Sequence, residues 1–304
     1  MRAPRVVGLF APAGYVHEGA AVDRARERLQ AMGYVVKVDV SCSARWQRFA
    51  GGDDARLAAV LRMTEDPDID SVIAARGGYG WSRLLERLDY RAIAAARKRW
   101  IGHSDFTAFQ LAALAHAGMI TFGGPMAAYD FGAEEPSAFT FDHFQRMHER
   151  GSDVVECPLE GPDFAGEGTL WGGNLAMVAH LVGTPHLPQT RGGILFLEDI
   201  GEHPYRVERM LHQLHFAGVL KRQRAVLLGT FNGYDAAPND NGYDIAAVVA
   251  YAREHFGVPV FTGLPFGHCR DKLTLPVGGH CRLTVHDGAA RMEIAIASAA
   301  MEPP

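Results

Sequence analysis

The first half of the chain alternates short apolar segments with longer segments of helical periodicity. RVVGLFAP, YVVKVDV and SVIAARGGYG are rich in apolar and β-branched residues, and amphipathic segments such as 17–32 and 53–63 separate them. Nearly continuous apolar strands between amphipathic helices are typical of a parallel sheet that is covered on both faces. The pattern predicts an α/β fold whose N-terminal domain, residues 1–150, has a flavodoxin- or Rossmann-like parallel sheet.

The character of the sequence changes between residues 151 and 168. This segment, GSDVVECPLEGPDFAGEG, is rich in glycine, proline and acidic residues, which predicts a linker. Beyond it, strand-like runs such as GGILFLED and AVLLGTF alternate with helices in a less regular order. We therefore predict a second, mixed α/β domain over residues 169–304.

The composition excludes several classes of partner. The chain has 304 residues, of which 48% are hydrophobic and 21% are charged, and its formal net charge is −5. No run of lysine and arginine offers the footprint of a nucleic-acid-binding protein. The apolar run Val6–Ala11 is shorter than the core of a signal peptide, and no segment is long enough to cross a bilayer. We expect a cytoplasmic protein with no nucleic-acid or membrane partner.

Cysteine and histidine spacing argues against a disulfide framework and against a metal site. The cysteines are Cys42, Cys157, Cys269 and Cys281. They contain no C-x-x-C pair and fit no zinc spacing, so a reducing compartment suits them best. His203, His212 and His215 lie close in sequence, but no H-E-x-x-H or comparable carboxylate pattern accompanies them. We therefore expect no metal site.

A serine stands where a predicted strand becomes a helix. In RKRWIGHSDFTAF, residues 97–109, the strand ends near Ile101 and the helix begins near Asp105, with Ser104 between them. Serine is a good N-cap, and that role is common at such a position. Alternatively, a sharp turn presents the hydroxyl as a nucleophile beside helix N-terminal amides that would stabilise an oxyanion. The segment lacks the second glycine of G-x-S-x-G, and these residues alone leave both readings open.

Polar residues follow two other predicted strands. In parallel α/β sheets, ligands bind beyond the carboxyl ends of the strands. The turn RGGYG, residues 76–80, is either an ordinary tight turn or a backbone surface whose amides approach a ligand. Glu198 and Asp199 follow the apolar run ILFL, and either acid could orient a histidine or cap a helix. Because side chains alternate along a strand, we expect only one of them to face the site.

The chain has 14 histidines, so position must select among them. His268 lies in a loop after a predicted strand, in GLPFGHCRDKLTLPVG. His103 adjoins Ser104, but adjacent side chains on such a turn usually diverge, which makes it a poor base for that hydroxyl. Cys269 is a secondary candidate for a nucleophile.

Five segments together resemble a known family. They are ARGGYG, IGHSDFTAF, LWGGNLAMVAHLVGTPH, ILFLEDIGEHPYRVERMLHQL and GLPFGHCRDKLTLPVG. In this order and spacing, the segments are similar to the LD-carboxypeptidases, also called muramoyltetrapeptide carboxypeptidases. The resemblance extends over about residues 5–290, essentially the whole chain.

The resemblance implies a catalytic triad in the chain order serine, glutamate, histidine. Carried over by motif, these residues are Ser104, Glu198 and His268. Their spacing is compatible with three strand-end loops that meet in an active site at the interface between the two domains. The family's oxyanion donors map to the backbone N–H of Asp105 and to the glycine turn, at Gly78 or alternatively Gly77. His103 departs from the aromatic or apolar residue expected before the serine, which leaves the triad intact but puts the local pKa and substrate fit in question.

The resemblance also implies a reaction. It is the removal of the terminal D-alanine from murein tetrapeptides, at a bond between an L-centre and a D-residue, through a covalent acyl-enzyme. Such an enzyme needs no metal or cofactor, and a homodimer fits the family. An exopeptidase must recognise a free carboxylate, and Arg76 is the candidate for that contact, although a surface salt bridge is an equal alternative.

Three other functions compete with this one. A microcin-immunity-type carboxypeptidase would hydrolyse aminoacyl-nucleotide peptides and would need an aromatic ring to stack on the base, for which Trp171 is the candidate. A glutamine-amidotransferase-like domain would need a cysteine in place of Ser104. A non-enzymatic, two-domain solute-binding protein would explain a cleft, but not a serine, a glutamate and a histidine at three strand ends.

Overall fold

The computed structural model describes residues 5–296. The strands of this range are β1 (Val6–Phe10), β2 (Val35–Val38), β3 (Ser71–Ala74), β4 (Arg99–Gly102), β5 (Thr121–Gly123), β6 (Ser152–Pro158), β7 (Phe164–Asn174), β8 (Ile194–Ile200), β9 (Ala225–Asn232), β10 (Val260–Thr262), β11 (Leu275–Val277), β12 (Gly279–His286) and β13 (Ala289–Ala295).

The α-helices follow the predicted alternation with strands in the first half of the chain. They are α1 (Gly19–Ala31), α2 (Asp53–Glu65), α3 (Tyr90–Ala95), α4 (Phe106–Ala117), α5 (Ala138–Arg150), α6 (Leu175–His180), α7 (Pro204–Phe216) and α8 (Ile245–His255). A short π-helical turn spans Ala127–Phe131.

The first sheet has the strand order β11-β5-β4-β3-β1-β2. Its five N-terminal strands are all parallel, and β11 pairs antiparallel with β5 at the edge. Without β11 the order is that of a flavodoxin-like doubly wound sheet, in which ligands bind at the switch point between β1 and β3. The predicted parallel-sheet fold is therefore confirmed, with an added edge strand that comes from the C-terminal half of the chain.

The second sheet is mixed, as predicted. Its order is β10-β9-β8-β7-β12-β13-β6, parallel from β10 to β7 and antiparallel from β7 to β6. The segment 151–168, for which the sequence predicts a linker, instead contains β6 and the start of β7. In β6, buried Asp153 and Val155 alternate with exposed residues, so the polar composition of this segment reflects an edge strand with one solvated face.

Helix α4 is buried where the two sheets meet. Every residue from Phe106 to Ala113 is buried, and a helix that is apolar all round is expected only in such an interior position. Aromatic rings anchor its first turns, with Trp81 stacked on Phe109 at 4.6 Å and Phe10 edge-on to Phe106 at 6.5 Å. This packing fixes the residue that precedes the helix, Ser104, relative to both sheets.

None of the helices between residues 5 and 296 is long and apolar enough to cross a membrane.

Candidate active site

Ser104 lies at a strained turn between β4 and α4. Its φ is 63°, in the left-handed region, which costs a non-glycine residue about 1–3 kcal/mol. The turn is held by backbone bonds, including one from the N–H of Thr107 to the carbonyl oxygen of Ser104 at 2.9 Å. The Ser104 hydroxyl makes no hydrogen bond of 3.5 Å or less with the residues described, and it faces a cavity. The geometry favours a presented hydroxyl over an N-cap.

The glycine turn after β3 touches Ser104 directly. A Cβ added to Gly77 would lie 2.8 Å from the Ser104 Cβ and 3.0 Å from its Oγ, so only glycine permits this approach. The amide of Gly14, after β1, donates to the carbonyl oxygen of Gly77 at 3.0 Å. Gly78 has a φ of +79°, a conformation that glycine adopts readily. Main-chain atoms of this turn therefore border the serine hydroxyl.

Glu198 and His268 meet across the ends of β8 and the loop after β10. The Nδ1 of His268 lies 2.8 Å from the Oε2 of Glu198. The Glu198 side chain is 0% exposed, whereas that of His268 is 18% exposed. The carboxylate fixes the ring through Nδ1, and the Nε2 atom is left without a partner among residues 5–296. His268 and Ser104 line the same cavity.

Asp199 binds the N-terminal end of α6 and not His268. Its Oδ2 accepts a hydrogen bond from the N–H of Ala176, and its Oδ1 accepts one from the Asn174 side chain, both at 2.8 Å. Burial and the neighbouring Glu198 carboxylate raise the pKa of Asp199 to about 6. The pairing of β8 with β9 shifts register between Leu197 and Asp199, so the strict alternation expected at the end of this strand is lost and both acids contact Asn174.

Asn174 is a site residue that the sequence did not single out. Its Nδ2 group donates to Glu198 at 3.3 Å as well as to Asp199, and its Oδ1 accepts from the N–H of Met177 as the N-cap of α6. Its own backbone N–H donates to the Thr107 hydroxyl of α4 at 3.0 Å. In the sequence, the turn WGGN before a predicted helix indicates that Asn174 is an N-cap. It does not indicate that Asn174 contacts residues of other elements.

His103 is buried beside the proposed base without replacing it. Its Nδ1 lies 2.9 Å from the carbonyl oxygen of Gly124, and its ring centroid is 5.2 Å from that of His268. Burial, followed by the charges of Lys272 and His268, holds the pKa of His103 well below its usual range. A neutral, backbone-bound ring is consistent with the expectation that His103 is a poor base for Ser104.

The cavity has a volume of about 580 Å³ and gathers most of the predicted site residues. Arg76, Gly77, Gly78, Ser104 and His268 all line it. The Nη1 atom of Arg76 donates to the carbonyl oxygen of Tyr15 at 2.7 Å. Within residues 5–296, no carboxylate lies within salt-bridge distance of Arg76, which removes the surface salt bridge that the sequence left as its alternative role.

Cys269 also lines the cavity, but its thiol is engaged. Its Sγ donates to the carbonyl oxygen of Asp271 at 3.1 Å, and burial raises the pKa of the thiol. A protonated thiol is a weak nucleophile, so the geometry favours Ser104 over Cys269.

A latch between the two halves of the chain holds the histidine loop. We use this name for Asp130, Ser137 and Thr140 on one side and the loop segment 270–272 on the other. The Lys272 ammonium lies 2.5 Å from the Asp130 carboxylate, and both side chains are buried. Ser137 donates to the side chain of Asp271 at 2.6 Å, and Thr140 donates to the carbonyl oxygen of Arg270 at 3.0 Å.

The histidines at 203, 212 and 215 lie among aromatic rings. His215 stacks on Phe256 at 4.9 Å, and His212 meets the same ring edge-on at 5.2 Å. Within the described range, a single group of three ligand-type residues lies close enough to hold a metal, namely the exposed Asp163, His286 and Asp287. None of the three lines the cavity.

Comparison with known proteins gives the same assignment for both halves of the chain. Residues 7–124 match the LD-carboxypeptidase N-terminal domain, and residues 167–283 match the LD-carboxypeptidase C-terminal domain. A solved structure of muramoyltetrapeptide carboxypeptidase from Oxalobacter formigenes is 45% identical, covers 95% of this chain and 98% of that one, and superposes with a TM-score of 0.90.

Two curated relatives extend this comparison. A putative carboxypeptidase from Streptomyces coelicolor is 36% identical over 81% of this chain and 79% of its own length. A probable murein peptide carboxypeptidase from Bacillus subtilis is 29% identical over 97% of this chain and 94% of its own. The fold and the matches define a two-domain carboxypeptidase. The chain belongs to the LD-carboxypeptidase family.

We predict that the two adjacent acids of β8 differ sharply in function. Glu198→Gln replaces the carboxylate that contacts Nδ1 of His268. If that carboxylate stabilises a protonated imidazole during the reaction, kcat should fall by about 10³- to 10⁴-fold. Asp199→Asn loses one of its two acceptor oxygens, and we expect it to reduce kcat by less than about tenfold because Glu198 keeps its contact with His268. Steady-state kinetics at one pH, on variants shown to be folded by circular dichroism, measure the difference. A severe defect in Asp199→Asn with a mild one in Glu198→Gln would reverse the assignment.

The latch also yields a stability prediction. Lys272→Met leaves the Asp130 carboxylate buried and unpaired, and we expect the free energy of unfolding to drop by about 3–5 kcal/mol. The double variant Lys272→Met/Asp130→Leu removes both charges and should recover much of that loss. Denaturant unfolding of the single and double variants tests the coupling.

The exposed pair Arg87–Asp54 provides the control for the latch. Its side chains are 41% and 93% exposed, so Arg87→Ala should cost no more than about 1 kcal/mol. Equal losses for Lys272→Met and Arg87→Ala would show that the latch contributes no more than a surface pair.

Proposed function

We propose that this chain is a serine LD-carboxypeptidase that removes the terminal D-alanine from murein tetrapeptides, as part of peptidoglycan recycling. The observation that carries the proposal is the 2.8 Å contact of the buried Glu198 with His268, which lines the cavity that Ser104 faces. A buried acid bound to Nδ1 fixes the tautomer in which Nε2 accepts a proton. The similarity of the whole chain to murein peptide carboxypeptidases supports the substrate class.

In this mechanism, His268 Nε2 takes the proton of the Ser104 hydroxyl as Oγ attacks the carbonyl carbon before the D-alanine. The backbone N–H groups of Gly78 and Asp105 stabilise the oxyanion, with Gly77 as the alternative donor in the turn. The imidazolium, paired with Glu198, then protonates the leaving amine. His268 then takes a proton from a water molecule as that water attacks the acyl carbon. The same proton is returned to Ser104 Oγ when the bond between Oγ and the acyl group breaks.

Arg76 is proposed to bind the free carboxylate of the substrate. An exopeptidase selects chain ends, and a guanidinium group recognises a carboxylate through two parallel hydrogen bonds. Arg76 lines the cavity next to the glycine turn and has a single protein acceptor, the Tyr15 carbonyl, among the bonds of the described range. This position would put the terminal carboxylate close to the bond that is cleaved.

The microcin-immunity alternative is less well supported. Its candidate stacking residue, Trp171, is 1% exposed and donates its indole N–H to Gln223 at 2.9 Å, so its ring is not available to a nucleobase. Tyr129, which is 53% exposed and lines the cavity, is the remaining aromatic candidate. The homodimer remains a prediction from the family resemblance, and the cytoplasmic location remains a prediction from the sequence.

Ser104→Ala tests the nucleophile and the substrate together. We expect wild-type protein to release D-alanine from a murein tetrapeptide, and the variant to lose about 10⁴-fold or more in kcat with the fold retained. Mass spectrometry of the tetrapeptide and of an aminoacyl-nucleotide peptide, incubated in parallel, reads out both candidate activities. Near-normal turnover by the variant would reject Ser104, and cleavage of the nucleotide peptide alone would favour the alternative substrate.

The proposed chemistry uses a side-chain nucleophile rather than a metal-bound water, so activity should survive chelation. We expect the rate of D-alanine release to be unchanged after dialysis against EDTA. Activity that is lost in EDTA and restored by Zn²⁺ would contradict the mechanism and would require a metal site in the protein.

A further inference from the structure

The side chain of Asp105 is bound to the glycine turn and not to its own helix. Asp105 precedes α4, where an aspartate normally caps the helix, yet its carboxylate accepts no capping hydrogen bond. Instead, its Oδ2 accepts from the N–H of Trp81, the residue directly after the turn, at 2.9 Å. The residue after the proposed nucleophile is thereby tied to the C-terminal end of the turn that borders it.

This carboxylate is buried at a high cost. Asp105 is 4% exposed, and its Oδ1 has no hydrogen-bond partner among the described residues. Burial raises the pKa of Asp105 to about 7, although the backbone N–H groups of Trp81 and Gly80 and the Arg56 guanidinium act to lower it. A buried acid with an unpartnered oxygen destabilises the fold, so its position calls for a role other than stability.

The turn is held at both of its ends. The Gly14 amide binds the carbonyl oxygen of Gly77 at 3.0 Å, and Arg56 donates to the carbonyl oxygen of Gly80 at 2.9 Å. Besides the packing of Gly77 on Ser104 and of Trp81 on Phe109, a hydrogen bond to the Asp105 carboxylate joins the end of the turn to the segment that carries Ser104. We infer that this hydrogen bond helps to set the distance between the serine hydroxyl and the amides of the turn.

We propose that Asp105 is a positioning residue, whose carboxylate holds the glycine turn 77–80 against Ser104 so that the amides of the turn face the oxyanion. This role rests on the proposed function. It concerns the side chain of Asp105 and is separate from the role of its backbone N–H as an oxyanion donor. It predicts that losing the acceptor harms the transition state while leaving substrate binding intact.

Two substitutions separate the acceptor from the charge. Asp105→Asn can keep the oxygen that binds Trp81 and put its amide group in the place of the unpartnered Oδ1, so we expect kcat within about fivefold of wild type. Asp105→Ala removes the acceptor, and we expect kcat to fall about 10²-fold, the usual loss for one oxyanion donor, with KM changed less than about threefold. If the alanine variant does not fold, Asp105→Leu, which has a similar shape and no acceptor, takes its place.

Asp39→Ala is the matched control. Asp39 is also buried in the first domain and accepts a hydrogen bond from the N–H of Ser41 at 2.8 Å, but it does not line the cavity. This variant should lose stability with kcat unchanged. A kcat for Asp105→Ala near that of wild type, a rise in KM alone, or a folded asparagine variant as inactive as the alanine one would each overturn the positioning role.

A fluorophosphonate probe distinguishes failure of this role from failure of the proposed substrate. Ser104 Oγ forms a bond to phosphorus, the P–F bond breaks, fluoride leaves, and the hydroxyl proton passes to His268. The phosphonyl oxygen occupies the oxyanion position, so Asp105→Ala should slow labelling about as much as it lowers kcat. Labelling that is slowed in a protein without activity on murein peptides would keep the positioning role and reject the substrate. Labelling of Asp105→Ala at the wild-type rate would reject the role itself.

Discussion

The arrangement of the site depends on the burial of α4 between two sheets. A series of contacts among four residues runs from this helix through the second sheet to the loop after β10. Thr107, one turn after Ser104, accepts from the backbone of Asn174; the Asn174 side chain donates to Glu198; and Glu198 binds His268. Because each link is buried or half-buried, the helix that presents the serine also sets the position of the acid and the histidine.

Much of the fold and several site residues could be predicted because the relevant signals are local. Apolar strands that alternate with amphipathic helices specify a parallel sheet. Ligands of such sheets bind at strand ends, so Ser104, the glycine turn and Glu198 could be identified one segment at a time. Their catalytic roles came from the family resemblance and remain proposals.

Other features could not be read from local sequence because they depend on long-range pairing. Nothing near Lys272 indicates that its ammonium is buried against Asp130, and nothing in the turn WGGN indicates that Asn174 reaches two acids of another strand. The polar segment 151–168 resembled a linker because the exposed face of an edge strand has the composition of a loop. Likewise, β11 joins the first sheet from the far end of the chain.

Close approach of the main chain allows the glycine turn, the end of β8 and the loop after β10 to pack directly around the site. Gly77 borders Ser104 at a distance that leaves no room for a side chain, and a Cβ on Gly267 would lie 3.0 Å from the Cβ of Glu198 and 3.1 Å from its Oε2. Ser104 therefore packs against a turn without side chains, and Glu198 packs against the backbone of the loop that carries His268. Distances among the hydroxyl, the imidazole and the carboxylate are therefore set by backbone held in buried hydrogen bonds. Such a site needs little reorganisation when charge develops, which is the condition under which fixed amide dipoles stabilise an oxyanion most effectively.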